Sequence, residues 1–190
     1  MDIPDTKVAV LVDNFFEQPE FEQPIKALKD VGAAVTVISS SGREMRGLKH
    51  ADMGDAFMAD LLLDDAGPED YDALVLPGGA MNADKLRMVD GARKWVRHFL
   101  ESGKPLAVIC HAPWVLVSAG EVNGRKLTSY YTIQDDIRNA GGDWVDEEVV
   151  IDGSLITSRN PDDLPAFNEA LLKMLSDAVS DKVGTAGGAI

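Results

Sequence analysis

Cysteine is almost missing from this 190-residue chain: Cys110 stands alone. A single thiol excludes an internal disulfide framework, and an odd thiol fits poorly with an oxidising compartment. The opening, MDIPDTK, has neither the basic nor the apolar region of a signal peptide, so a cytoplasmic protein is expected. Basic residues are scarce as well: 18 Lys and Arg stand against 32 Asp and Glu, for a net charge of −14. Nucleic-acid binding draws its affinity from clustered Lys and Arg, so no stable nucleic-acid partner is expected. The acidity is read as a solubility device. No apolar run approaches the roughly 20 residues of a membrane helix, and no membrane partner is expected. Histidine occurs three times, scattered, and with one thiol this shows no ligand spacing, so neither a metal nor a cofactor is expected.

What is present is an alternation of apolar strands and amphipathic helices. KVAVLV (7–12), AVTVIS (34–39), DALVLPGG (72–79), PLAVIC (105–110) and residues 154–158 read as strands. Strands that are apolar throughout imply a parallel sheet covered on both faces. EFEQPIKALKDVG (20–32) reads as a helix stopped by Gly32, and DKLRMVDGARKWVRHFLESG (84–103) as one covering helix with Leu86, Val89, Trp95, Phe99 and Leu100 on a stripe. On that helix His98 falls away from the stripe and is expected at the surface. Asn160 is a candidate cap, with Pro161 at a first helical position and Asp162 and Asp163 where the helix dipole favours acids. Residues 40–68 read as a small β excursion with loops. No repeat or linker divides the chain, which is expected to form one α/β domain over 1–180, a doubly wound sandwich with a mostly parallel central sheet, followed by a flexible tail over 181–190.

In such sandwiches the loops at the carboxyl ends of the strands build the site. Three loops qualify: Asp13–Glu20, Pro77–Gly79 and the turn at Cys110. In KPLAVICHAPWVLVSAG (104–120) the cysteine falls where a strand turns into a helix, the geometry of a nucleophile elbow. There the next backbone amides point at the nucleophile and the helix N-terminus favours negative charge. The hydrolase elbow carries glycines two residues either side; Val108 and Ala112 stand there instead, so Cys110 as inert core is an equal alternative. His111 is poorly aimed to take a proton as a separate triad base would, but its N–H suits an oxyanion hole, with Gly78 or Gly79 as second donor. A glutaminase triad would need a histidine well downstream of the cysteine. His111 is the last histidine in the chain, which disfavours glutamine amidotransfer. His50, in GLKHADMGD, has no assigned role.

Taken in order, DNFFEQPEF, LPGG, ICHAPWVLVSAG, GRKLTSY, DDIRNAGGDWVDEEVVIDG and LITSRNPDDL resemble the ThiJ/PfpI family, within the class I glutamine amidotransferase-like superfamily. The likeness runs from about Lys7 to Leu175 and is strongest to the PfpI-like intracellular peptidase and stress-protein branch. It implies a flavodoxin-like fold with Cys110 as nucleophile, His111 beside it and Glu17 as the glutamate approaching the sulfur. That glutamate is expected to have a raised pKa, from burial and the charge of the sulfur, so that it donates a hydrogen bond to the thiolate. Asp84 matches an acidic residue, commonly glutamate, that reaches the histidine of a neighbouring subunit; taken alone, it would equally serve as a helix cap. Tyr130 matches a tyrosine beside the site and would contact substrate. Trp114 stands where the family often has a smaller or polar residue.

The resemblance implies a stress-response cysteine hydrolase, active on glyoxal or methylglyoxal adducts as a deglycase or glyoxalase, or on peptides as an intracellular protease. Its partners would be a small dicarbonyl, a glycated protein or a peptide, and further copies of the chain in a dimer or larger oligomer. The alternative is a non-catalytic stress protein, a redox sensor through Cys110 oxidation or a holdase chaperone.

Overall fold

The computed structural model describes residues 3–186. In chain order the strands and helices are β1 (Lys7–Val12), β2 (Phe16–Glu17), α1 (Gln18–Asp30), β3 (Ala34–Ser39), β4 (Glu44–Lys49), β5 (Asp52–Met58), β6 (Leu61–Leu62) and β7 (Ala73–Leu76). Then follow α2 (Ala80–Leu86), α3 (Asp90–Ser102), β8 (Leu106–Ile109), α4 (Pro113–Ala119), β9 (Lys126–Leu127), α5 (Gln134–Asn139), β10 (Asp143–Trp144), β11 (Val149–Asp152), β12 (Leu155–Ser158) and α6 (Leu164–Ala186). Seven strands form the central sheet in the order β11-β12-β8-β7-β1-β3-β6. Every neighbouring pair is parallel except β11 with β12. This is the α/β sandwich expected from the sequence.

The apolar strands are buried on both faces because alternate residues serve different layers. From β1, Ala9 and Leu11 join a core with Trp95 and Phe99 of α3 and Leu116 of α4. Val8, Val10 and Val12 face the other way, toward Phe21 and Leu28 of α1 and Phe167 and Leu171 of α6. Residues 40–68 do form a β excursion, in which β4 and β5 pair antiparallel and β2 adds to β4 in parallel.

Four expectations are corrected by the fold. The covering helix of 84–103 is two helices: Val89 is extended, with φ −85° and ψ 115°, and separates α2 from α3. The joint is stable because Asp90 opens α3 at its positive end, pairs with Arg93, and Arg93 also donates to the Arg87 carbonyl at the end of α2. Asp84 consequently sits inside α2, which starts at Ala80 with Gly79 at its cap position, and caps nothing. His98 is only half exposed, and its Nε2 is buried without a hydrogen-bond partner. Finally, α6 runs on to Ala186 where a tail from 181 was expected; residues 187–190 of that tail lie outside the described residues. The expected cap is present, since Asn160 Oδ1 accepts the Asp162 N–H at 2.9 Å. Among the described residues no helix is long and apolar enough to cross a membrane.

Candidate active site

The fold brings Cys110, His111, Glu17, Gly79, His50 and Tyr130 to one cleft. Its volume is about 390 Å³, it lies above the carboxyl edge of the sheet, and Glu20, Leu48, Ala80, Met81 and Pro161 complete its lining. The nucleophile candidate sits between β8 and α4 with φ +63°, a left-handed conformation that a side-chain-bearing residue rarely adopts. Both of its backbone groups are tied: Cys110 N–H donates to the Ser158 carbonyl at 3.0 Å, and its own carbonyl accepts the Tyr130 N–H at 2.8 Å. These bonds hold the turn in its strained form. The thiol is 5% exposed, so the sulfur is reachable only from the cleft.

The carboxyl on the sulfur is Glu20, not Glu17. Glu20, in the first turn of α1, is fully buried and hydrogen bonded to Cys110, and its Oε2 also accepts the Gly78 N–H at 2.9 Å. Glu17 is set one turn back, at the end of β2, where its carboxylate accepts the His50 N–H at 3.2 Å on each oxygen. The two acids are three residues apart at a helix start, where i and i+3 share a face. Sequence spacing alone therefore could not rank them; burial does, because only the second is sealed under the sulfur.

Burial, and then the charge of Glu17, push the Glu20 carboxyl up to about 8. Burial and an ionised Glu20 push the Cys110 thiol up in turn, while the backbone N–H groups of Gly79 and His111 pull it down. The two groups titrate as a pair. With its proton, Glu20 bears no charge and becomes a donor toward sulfur, which removes the main repulsion against a thiolate. The raised carboxyl expected for the glutamate beside the sulfur is thus found, at Glu20.

Two backbone amides face the sulfur, those of Gly79 and His111. Gly78 is excluded from that role because its N–H is committed to Glu20. It is required for space instead: a Cβ on Gly78 would lie 2.5 Å from both Cys110 Cβ and Glu20 Oε2. Gly79 has φ +90°, and a Cβ there would meet the Glu17 nitrogen at 2.7 Å.

His111 Nδ1 lies 3.1 Å from Cys110 Sγ, closer than adjacent residues at a turn are expected to come. Burial lowers its pKa, so the ring is neutral at pH 7 and able to take a proton. Its other nitrogen meets the Thr132 hydroxyl at 3.4 Å. The Tyr130 ring stacks on it at 4.6 Å, and Trp114 tilts against it at 5.5 Å. Trp114 is itself anchored by donating to Asp136 at 2.7 Å. Asp84 is exposed on α2 and does not line the cleft. Thr132, Trp114 and Glu20 were the residues that sequence reasoning left unassigned around the sulfur. Among the described residues no cluster of three or more His, Cys, Asp or Glu could hold a metal ion.

Known proteins resemble this chain over most of its length. Over 169 residues, 89% of this chain and 99% of the relative, the sequence is 41% identical to "Deglycase TK1284" of Thermococcus kodakarensis. It is also 41% identical over 172 residues to "General stress protein 18" of Bacillus subtilis, covering 89% of this chain and 97% of that one. A crystal structure of a two-domain protein from Anabaena variabilis, with DJ-1/ThiJ/PfpI-like and ferritin-like domains, superposes with a TM-score of 0.85 at 37% identity. That match covers 90% of this chain and 48% of the larger protein. The sequence pattern of the DJ-1/PfpI family matches residues 6–174, from the start of β1 into α6, and with it the chain is placed as a member of the DJ-1/PfpI family.

Proposed function

We propose that the protein is a cysteine-dependent hydrolase that clears methylglyoxal and its adducts on amines, in a stress response. One observation carries the reading: at the floor of a small cleft, the Cys110 sulfur is met by two backbone N–H groups, the fully buried carboxyl of Glu20 and an imidazole nitrogen at 3.1 Å. The names of the relatives, a deglycase and a general stress protein, support it. The cleft volume of about 390 Å³ lies near the lower end of ligand pockets and suits a three-carbon dicarbonyl better than an extended peptide.

In this mechanism Sγ attacks the aldehyde carbon, the C–S bond forms, and the carbonyl electron pair moves to oxygen. The N–H groups of Gly79 and His111 hold that oxyanion. On an amine adduct the same carbon is taken by sulfur and the amine leaves with a proton. His111 then takes the proton from the former aldehyde carbon, leaving an enediolate, and returns it to the neighbouring carbon. The first oxygen gives up its proton and re-forms a carbonyl while the former ketone oxygen takes a proton, which turns the hemithioacetal into a lactoyl thioester. Water cleaves the thioester, returning the thiol and releasing lactate. The aldehyde carbon is oxidised and the ketone carbon reduced, so no external oxidant or reductant enters. Glu20 carries the proton that balances charge beside the sulfur, Glu17 and His50 line the entrance, and Tyr130 packs its ring against the substrate side of His111.

Asp84 belongs to this proposal in trans. Within the chain the hydrogen-bond partner of His111 Nε2 is the Thr132 hydroxyl, and no carboxylate among the described residues reaches it. A second copy presenting its exposed Asp84 would supply the acid, which requires a homo-oligomer. A monomer at micromolar concentration by sedimentation would remove that part of the proposal.

The test is to incubate wild type and Cys110→Ala with methylglyoxal, following lactate over many enzyme equivalents with a parallel mass spectrum of Cys110. Many turnovers that vanish in the variant support the hydrolase. Stoichiometric modification of Cys110 without lactate would overturn dicarbonyl turnover and leave a peptidase on other substrates or a redox sensor.

A further inference from the structure

We infer that the buried amide of Asn82 is the positioning residue of the oxyanion hole, setting the direction of two successive peptide planes. The inference rests on Cys110 being the nucleophile, as proposed above.

Asn82, on the first turn and a half of α2, has no exposed surface. Its Nδ2 donates to the Pro77 carbonyl and to the Gly78 carbonyl, each at 2.9 Å. Its Oδ1 accepts the Asp13 N–H at 2.6 Å. Every donor and acceptor direction of the amide but one lone pair is therefore in use, and the assignment of nitrogen and oxygen follows from the partners, two carbonyls against one N–H.

The consequence comes from peptide geometry. In a trans peptide the carbonyl oxygen and the following N–H lie in one plane and point in opposite directions within it. The Pro77 carbonyl shares its plane with the Gly78 N–H, and the Gly78 carbonyl shares its plane with the Gly79 N–H. By holding both oxygens, Asn82 turns the Gly78 N–H onto Glu20 Oε2 and the Gly79 N–H onto Cys110 Sγ. The Glu17 N–H adds a second donor to the Gly78 carbonyl at 3.2 Å. The glycines' own backbone preferences do little to fix these planes, because a residue without a side chain populates φ of either sign. One side chain thus aims the donor for the carboxyl and the donor for the oxyanion.

Asn82 is itself held from β1. The Asp13 carboxylate accepts from the Asn14 N–H at 2.5 Å, the Ser40 hydroxyl at 2.6 Å and Lys85 Nζ at 3.4 Å. Lys85 lies one turn of α2 beyond Asn82, so this cluster clamps α2 against the ends of β1 and β3. The hole is built from backbone, but its direction is dictated by a side chain outside the cleft, which Asn82 does not line.

The experiment compares wild type with Asn82→Asp and Asn82→Ala. Aspartate keeps the shape and the acceptor for Asp13 N–H but sets an oxygen against both carbonyls; alanine removes the amide. Two readouts are taken on folded protein, as judged by near-ultraviolet circular dichroism: kcat and KM for lactate from methylglyoxal, and the pH midpoint of Cys110 alkylation by iodoacetamide. The expected result is a kcat lower by roughly 10²-fold with KM within about twofold, the loss that follows a displaced oxyanion donor. The alkylation midpoint should rise in both variants. Variants that fold and keep the wild-type kcat and midpoint overturn the inference. If wild type makes no lactate while the midpoints still move, the proposed substrate fails and the role of Asn82 stands. If neither variant folds, wild type decides by nuclear magnetic resonance: the Gly79 amide should follow Cys110 alkylation, and one indifferent to it overturns the inference.

Discussion

Replacing Glu20 by glutamine separates its proton from its shape. The carboxyl is buried completely and titrates near 8, against an ordinary glutamate value of 4.5. An acid whose folded pKa is raised holds a proton that the unfolded chain has released, so its stabilisation is complete below pH 4.5 and is lost as pH climbs toward 8. The gap of 8 − 4.5, at 1.36 kcal/mol per pH unit, amounts to about 5 kcal/mol. For a protein of this size that is on the order of 10–20 °C in Tm. In Glu20→Gln the Oε1 can still accept the Gly78 N–H and the amide can still donate to sulfur, but nothing at that position titrates. Thermal unfolding of both proteins from pH 5 to about pH 8, below the ordinary thiol range, should show wild type falling toward alkaline pH much more steeply than the variant. Parallel curves would mean that Glu20 is ionised throughout and that the pairing of its proton with the thiolate is wrong. The thiolate itself should survive in Glu20→Gln and rise in pKa in Glu20→Ala, read by alkylation rate against pH.

Because burial lowers the His111 pKa, the imidazole is protonated only below its ordinary value of 6.5, and the acid limb of kcat/KM should lie there and vanish in His111→Ala. Gly78→Ala would force a methyl to 2.5 Å from Cys110 Cβ and Glu20 Oε2; a loss of about 1–3 kcal/mol by urea denaturation is expected, together with most of the turnover. Arg159→Met should lower stability by about 2–4 kcal/mol, since it strands the Asp163 carboxylate, which is 3% exposed and now bonds Arg159 Nε and an Nη at 2.9 Å each. An Arg159→Met protein as stable as wild type at pH 7 would show that Asp163 finds other partners.

The sheet could be read from the chain because its strands are apolar at every position, and β1 and β3 match the expected spans residue for residue. The break between α2 and α3 could not, because the stripe from Leu86 to Phe99 continues across it and only the extended backbone of Val89 interrupts it. Cys110 and His111 were visible because a strand-to-helix turn forces its residues into view. Glu20 was hidden by its neighbour: F-E-x-x-E offers two carboxyls to one site, and which is sealed depends on how α1 docks on β3 and β4. A pointer did exist, in Phe21 immediately after Glu20, which marks that part of the turn as buried. Asn82 carried no pointer, since an asparagine early in a helix reads as an ordinary surface residue until its partners are known.

Cys110 occupies a backbone position that would suit glycine, at φ +63°. A side chain held there costs about 1–2 kcal/mol. A glycine at 110 would relax the turn, so the proposed nucleophile sits where the backbone disfavours a side chain. Under the proposed mechanism, drift toward stability and retention of activity pull this single residue in opposite directions.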